Sequence, residues 1–130
     1  MLGEETRAVE IVFPNHANSR GNLFGGHALA LMDQLAFIVA SRYARMNVVT
    51  AASEKVEFRT AVRVGDVVEL VGKIARVGRT SLTVDIDMFS ENLITGAREL
   101  CTTAEFVMVA LDESGRPVPV PRPEAVAARK

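Results

Sequence analysis

Residues 28–40 read Ala28-Leu-Ala-Leu-Met-Asp33-Gln34-Leu-Ala-Phe-Ile-Val-Ala40, a run that is apolar on almost every side and broken only by Asp33 and Gln34. Alanine, leucine, methionine and glutamine are good helix formers. The pattern opens at Gly25-Gly26 and continues to about Met46, so it predicts a helix over residues 26–46. About 20 residues at 1.5 Å each make a rod of roughly 30 Å. A helix that is apolar all round is surrounded by other structure instead of lying on a surface. The uninterrupted stretch is too short to span a bilayer. The rest of the chain must therefore supply the enclosure.

It does so with strands. Residues 8–13 alternate well enough for a first strand, which Pro14 ends, and residues 14–24 are a loop rich in Asn, Gly and Ser. After the helix, residues 48–61, 67–77, 80–91 and 98–111 read as four long strands. Gly65-Asp66, Gly78-Arg79 and Gly96 mark the turns between them. In the third of these strands Leu82, Val84, Ile86 and Met88 face one way, and Thr83, Asp85 and Asp87 the other. Short turns between long consecutive strands imply antiparallel hairpins. One strand, a buried helix and four hairpin-linked strands make an α+β domain in which the sheet curls around the helix. Its edges need covering, and pairing with a second copy is a common solution. The end of the chain carries four prolines within residues 117–123 and reads as extended or disordered. The expected organisation is one domain over residues 1–121 and a flexible tail over 122–130.

Composition narrows the function. The chain has 130 residues, 48% of them apolar and 24% charged, with a net charge of −1. That balance fits a single globular domain and carries no field to recruit nucleic acid or an anionic membrane surface. Cys101 is the single cysteine, so neither an internal disulfide nor a thiolate metal cluster is expected, and its apolar setting predicts a buried, inert thiol. The charged start, MLGEETRAVE, has no apolar core of a secretory signal, and a cytoplasmic protein is expected.

Asp33 is the residue that asks for a role, because a carboxylate within an apolar run is costly to bury unless paired or used. It can equally sit on a partly exposed helix face. Just ahead of it, Asn18, Gly21, Asn22, Gly25 and Gly26 crowd nine residues. Glycines let a backbone approach a ligand closely, and free N–H groups at a helix start favour negative charge, as a developing oxyanion requires. An ordinary glycine-rich loop with a helix cap has the same composition. A histidine at a loop-to-helix junction, such as His27, is more often a polar surface residue, and His16 in the loop carries still less signal.

The stretch from Asn18 through Gly21, Gly25-Gly26 and Met32-Asp33 resembles the signature of hotdog-fold acyl-CoA thioesterases, in particular the YciA-type and cytosolic brain-type acyl-CoA hydrolases. Phe58-Arg-Thr-Ala-Val-Arg-Val-Gly-Asp66, Val77-Gly-Arg-Thr-Ser81 and Ala104-Glu-Phe-Val-Met-Val resemble later parts of the same family, and the likeness covers about residues 8–121. It implies a hotdog fold, a long central helix wrapped by a curved antiparallel sheet of five to six strands. It implies hydrolysis of acyl-CoA to a fatty acid and free coenzyme A, with coenzyme A entering as substrate and no cofactor or metal. By position, Asp33 matches the catalytic carboxylate, as general base or nucleophile, and Asn18 the asparagine that acts with it from the partner subunit. Gly25 and Gly26 match the glycines that approach the thioester carbonyl, with the N–H groups near Gly26 as the oxyanion site. Arg79, Thr80 and Ser81 are candidates for the phosphates of coenzyme A, although a hairpin tip of this kind is equally a solvated turn. The family implies a dimer at least, and a hexamer built as a trimer of dimers. One departure stands out. The strand end reads Phe58-Arg59-Thr-Ala where many relatives have Phe-Leu-Arg-Pro, and a one-residue shift in a strand turns a side chain to the other face. Two rivals are an acyl-CoA hydratase or dehydratase, which would pair His16 with Asp33, and a non-catalytic acyl-CoA binding module.

Overall fold

A computed structural model describes residues 4–121. In chain order these form β1 (Thr6–Ile11), a 3-10 turn (Pro14–His16), α1 (Gly25–Ala44), β2 (Asn47–Phe58), β3 (Val67–Val77), β4 (Ser81–Glu91) and β5 (Arg98–Leu111). The five strands make one antiparallel sheet in the order β1-β3-β4-β5-β2. The helix lies across it, in the hotdog arrangement.

Helix α1 starts directly after Phe24, whose backbone is extended, and stops where Arg45 turns left-handed at φ 56° and donates its N–H to Ser41 O. Ala28, Met32, Leu35, Ala36, Val39, Ala40, Tyr43 and Ala44 form its buried stripe. Four of these eight are alanines, which let the helix approach the sheet closely. Gly72 of β3 completes that approach: a Cβ there would lie 2.8 Å from Ile86 Cδ1 and 3.0 Å from Val39 Cγ2. Opposite, Leu82, Val84, Ile86 and Met88 are buried as their alternation predicts. Cys101 is buried too, donating its thiol to Met88 O at 3.2 Å, and burial pushes that thiol's pKa up.

Two expectations need correction. The helix is enclosed on one side only in the single chain, because one sheet covers about half of a cylinder. Phe37 and Ile38 on its far side remain 50% and 39% exposed. Second, β2 and β3 are not a hairpin. β2 pairs with β5 at one edge of the sheet, and β3 pairs with β1 towards the other. The connecting segment crosses beneath the helix start, where Leu23 N–H donates to Val62 O, and the Gly65-Asp66 turn docks on the end of β1 through Val12. Residues 117–121 are extended, one of the two states read from their prolines, and they are packed on the domain. Val118 N–H donates to Ala110 O, Val120 N–H to Arg79 O, and the Tyr43 hydroxyl to Pro121 O, while Val120 is only 6% exposed. The tail expected over residues 122–130 lies outside the described residues. Among the described residues no helix is long and apolar enough to cross a membrane.

Candidate active site

The Asn18 loop is built by its own side chain. Asn18 Oδ1 accepts the N–H groups of Arg20 (2.9 Å) and Asn22 (3.1 Å), and Asn18 N–H donates to Asn22 O (2.8 Å). Gly21, at φ 78°, supplies the left-handed residue this tight turn requires. With Oδ1 committed, the Nδ2 amide is left as the donor that Asn18 can offer a ligand.

The loop delivers the chain to the first turn of α1. The first helical hydrogen bond runs from Ala28 N–H to Phe24 O, so the N–H groups of Gly25, Gly26 and His27 lie ahead of it, at the positive end of the helix. The Phe58 ring lies against Gly25, where a Cβ would come within 3.3 Å of it. A cavity of about 340 Å³ opens here, lined by Asn18, Asn22, Gly25, Phe58, Arg59 and Thr102 among others. Gly26 is exposed beside it and is not part of its lining. Arg59 lines the cavity although the alternation of a strand would have turned it away. β2 ends at Phe58, so the rule of alternate faces no longer applies at residue 59.

Asp33 stands elsewhere. It lies eight residues beyond Gly25, about 12 Å further along the helix. It is half-buried, and its Oδ1 accepts the Thr50 hydroxyl of β2 at 2.5 Å. Thr50 is the residue that the sequence did not single out. A bulge between Thr50 and Ala52 and another between Glu54 and Glu57 break the alternation of β2, so its facing could not be counted off the chain. Arg79, Thr80 and Ser81 form the β3–β4 turn at the opposite end of the helix, where Arg79 O and Thr80 O accept the N–H groups of Val120 and Ala110. One chain thus brings Asn18 and Gly25 together, and leaves Asp33 and the Arg79–Thr80–Ser81 turn apart from them. His16 does not meet Asp33 either; its ring stacks on that of His27, and neither lines the cavity.

The thioesterase superfamily sequence model matches residues 20–97. An uncharacterized acyl-CoA thioester hydrolase of Bacillus subtilis is 40% identical over 111 residues, 85% of this chain. The chain spans 64% of that relative's length. The crystal structure of a hexameric acyl-CoA thioesterase shares 43% identity and superposes with a TM-score of 0.87 over 90% of this chain and 75% of that one. An acyl-CoA hydrolase of Staphylococcus aureus, solved with butyryl coenzyme A and coenzyme A, is 29% identical, with a TM-score of 0.85 over 90% of this chain and 71% of that one. Variants of that hydrolase have been solved with an aspartate, an asparagine and a threonine each replaced by alanine. The asparagine precedes the aspartate by 15 residues, and the threonine follows it by 17.

Proposed function

The chain belongs to the thioesterase superfamily, and from that membership we propose that it hydrolyses acyl-CoA to a free fatty acid and coenzyme A, in the cytoplasm and without a cofactor. The observation that carries the reading is the Asp33 carboxylate, hydrogen-bonded by Thr50 on the open face of the helix. Asn18, Asp33 and Thr50 also have the spacing of the three positions replaced in the Staphylococcus hydrolase.

A thioester is already activated, so its hydrolysis calls for a positioned water and a stabilised oxyanion. Asp33 takes the proton of that water, or attacks directly to form an anhydride. N–H groups of Gly25 and Gly26, at the positive end of α1, hold the carbonyl oxygen as it gains charge. The Nδ2 amide of Asn18 orients water or carbonyl. Arg79, Thr80 and Ser81 take the coenzyme A phosphates.

This site needs a second copy of the chain. β2 is an edge strand of the sheet, and it runs antiparallel to the helix, its end at Phe58 meeting Gly25 and its earlier Thr50 meeting Asp33. Two such edges pairing antiparallel about a twofold axis carry the Gly25 end of one helix towards Asp33 of the other. The same operation brings the Arg79 turn towards the partner's helix start. The proposed assembly is a dimer, and a hexamer as three dimers, with the exposed Phe37 and Ile38 available for the further contacts. Thiol release from a panel of acyl-CoA chain lengths, before and after dialysis against a chelator, tests the activity and its independence from metal. Release from none of them, by an assembled protein, defeats the proposal.

A further inference from the structure

His16 closes the 3-10 turn, and His27 is the third residue of α1. Their rings stack with centroids 3.9 Å apart and planes 11° apart, and Phe13 sets its ring edge-on to His16 at 6.0 Å. Between the two histidines runs the Asn18 loop. His16 O accepts the Phe24 N–H at 3.0 Å, Ala17 bridges Leu23, and Asn18 turns back on Asn22. The stack therefore closes the base of a loop whose tip lines the cavity.

We propose that His16 and His27 are a positioning pair for the Asn18 loop, and that the loop is held only while the stack carries at most one proton. Neutral imidazoles attract by dispersion, and one imidazolium over a neutral ring keeps a cation–π attraction. Two imidazoliums at 3.9 Å repel. The start of α1 adds partial positive charge beside His27. Glu10 of β1 is the opposing charge that faces the pair. Burial, and then His16, hold His27 below its ordinary value, and Glu10 offsets this only in part.

The direction of the effect follows. A histidine whose folded value is lowered takes up fewer protons in the closed loop than in the open one. Its contribution is complete above its unfolded value of about 6.5, and is lost as pH falls from there towards the lowered folded value. Acid therefore opens the loop and withdraws Asn18. The catalytic half of this inference rests on the thioesterase reading; the latch itself does not.

The test uses the full chain in its native assembly. Hydrogen–deuterium exchange over residues 14–27, corrected for the intrinsic rate, should show protection falling about tenfold or more between about pH 7.5 and about pH 5. The double variant His16→Phe with His27→Phe keeps two flat rings that take no proton, and its protection should hold within about twofold. An equal loss in the double variant overturns the latch. Exchange at the imidazole C2 position of His27 in the unaltered chain guards against a misfolded variant: a His27 that is not held below its ordinary value also overturns it. In thiol release, the acid limb of the pH profile should move to lower pH in the double variant, with kcat near neutrality retained. An unmoved limb overturns the link to catalysis. Absence of thiol release at every pH defeats the thioesterase reading alone, and the exchange measurement still judges the latch.

Discussion

Thr50 on β2 donates its hydroxyl to Asp33 on the helix at 2.5 Å, a contact between residues from two different elements at the open side of the fold. A hydrogen bond to a charged group is worth about 1.5–3 kcal/mol, and the exposure of this one places it at the lower end. Thr50→Val keeps the shape and removes the donor. It should cut kcat about tenfold with KM and thermal midpoint little changed. Steady-state thiol release decides; full kcat in Thr50→Val would make the contact structural.

Asp33→Asn preserves shape and removes the charge. General-base help is worth about 10²–10⁴-fold, and kcat should fall by that much while a non-hydrolysable acyl-CoA analogue binds as before. Near-normal turnover would end the catalytic assignment.

Mixing Asp33→Asn with Asn18→Ala tests the shared site separately. A hybrid dimer holds one site with both residues intact and one with neither. Subunit exchange should restore activity that neither parent has, and no recovery in a hybrid verified by mass would confine the site to one chain.

Gly72 leaves no room for a side chain. Gly72→Ala drives a methyl into Ile86 and Val39, and overpacking of this kind costs about 1–3 kcal/mol. The urea midpoint should drop at fixed protein concentration, and pairing the change with Ile86→Val should recover part of the loss.

Residues 117–121 are packed on the domain. Ending the chain after Pro121 should leave activity and oligomeric state unchanged. Ending it at residue 116 removes the buried Val120 and three hydrogen bonds, and should destabilise by about 2–4 kcal/mol. Equal thermal midpoints for the two truncations would contradict the packing described.

What was legible in the chain was local. β3 and β5 have the bounds that their alternation and flanking glycines predict, and α1 falls within two residues of its expected ends. The partners of β2 were not legible, because the Gly65-Asp66 turn carries the same local signal whether it joins a hairpin or docks on β1. The bulges of β2, one of them containing Lys55 at φ 52°, conceal which side Thr50 faces. The prolines of residues 117–121 described an extended chain correctly and said nothing of what it packs on. Asn18, Gly25 and Asp33 were visible as residue types at a recurring spacing. Their separation in one chain was implied by the family resemblance, which puts Asn18 and Asp33 in different subunits, and not by the residue types themselves, since it depends on helix length and on which side the sheet leaves open.

The interruptions in β2 also govern how large a sheet can grow. An edge strand with every N–H and C=O in register is a template for indefinite addition of further chains. Between the shifts at Thr50/Ala52 and Glu54/Glu57 only three residues of β2 keep regular register with β5. In the proposed twofold dimer that short stretch is taken up on both chains at once, and β1 remains the outer edge of each sheet. In the proposed dimer the irregularity that re-aims Thr50 thus also shortens the regular stretch of β2 open to any other chain.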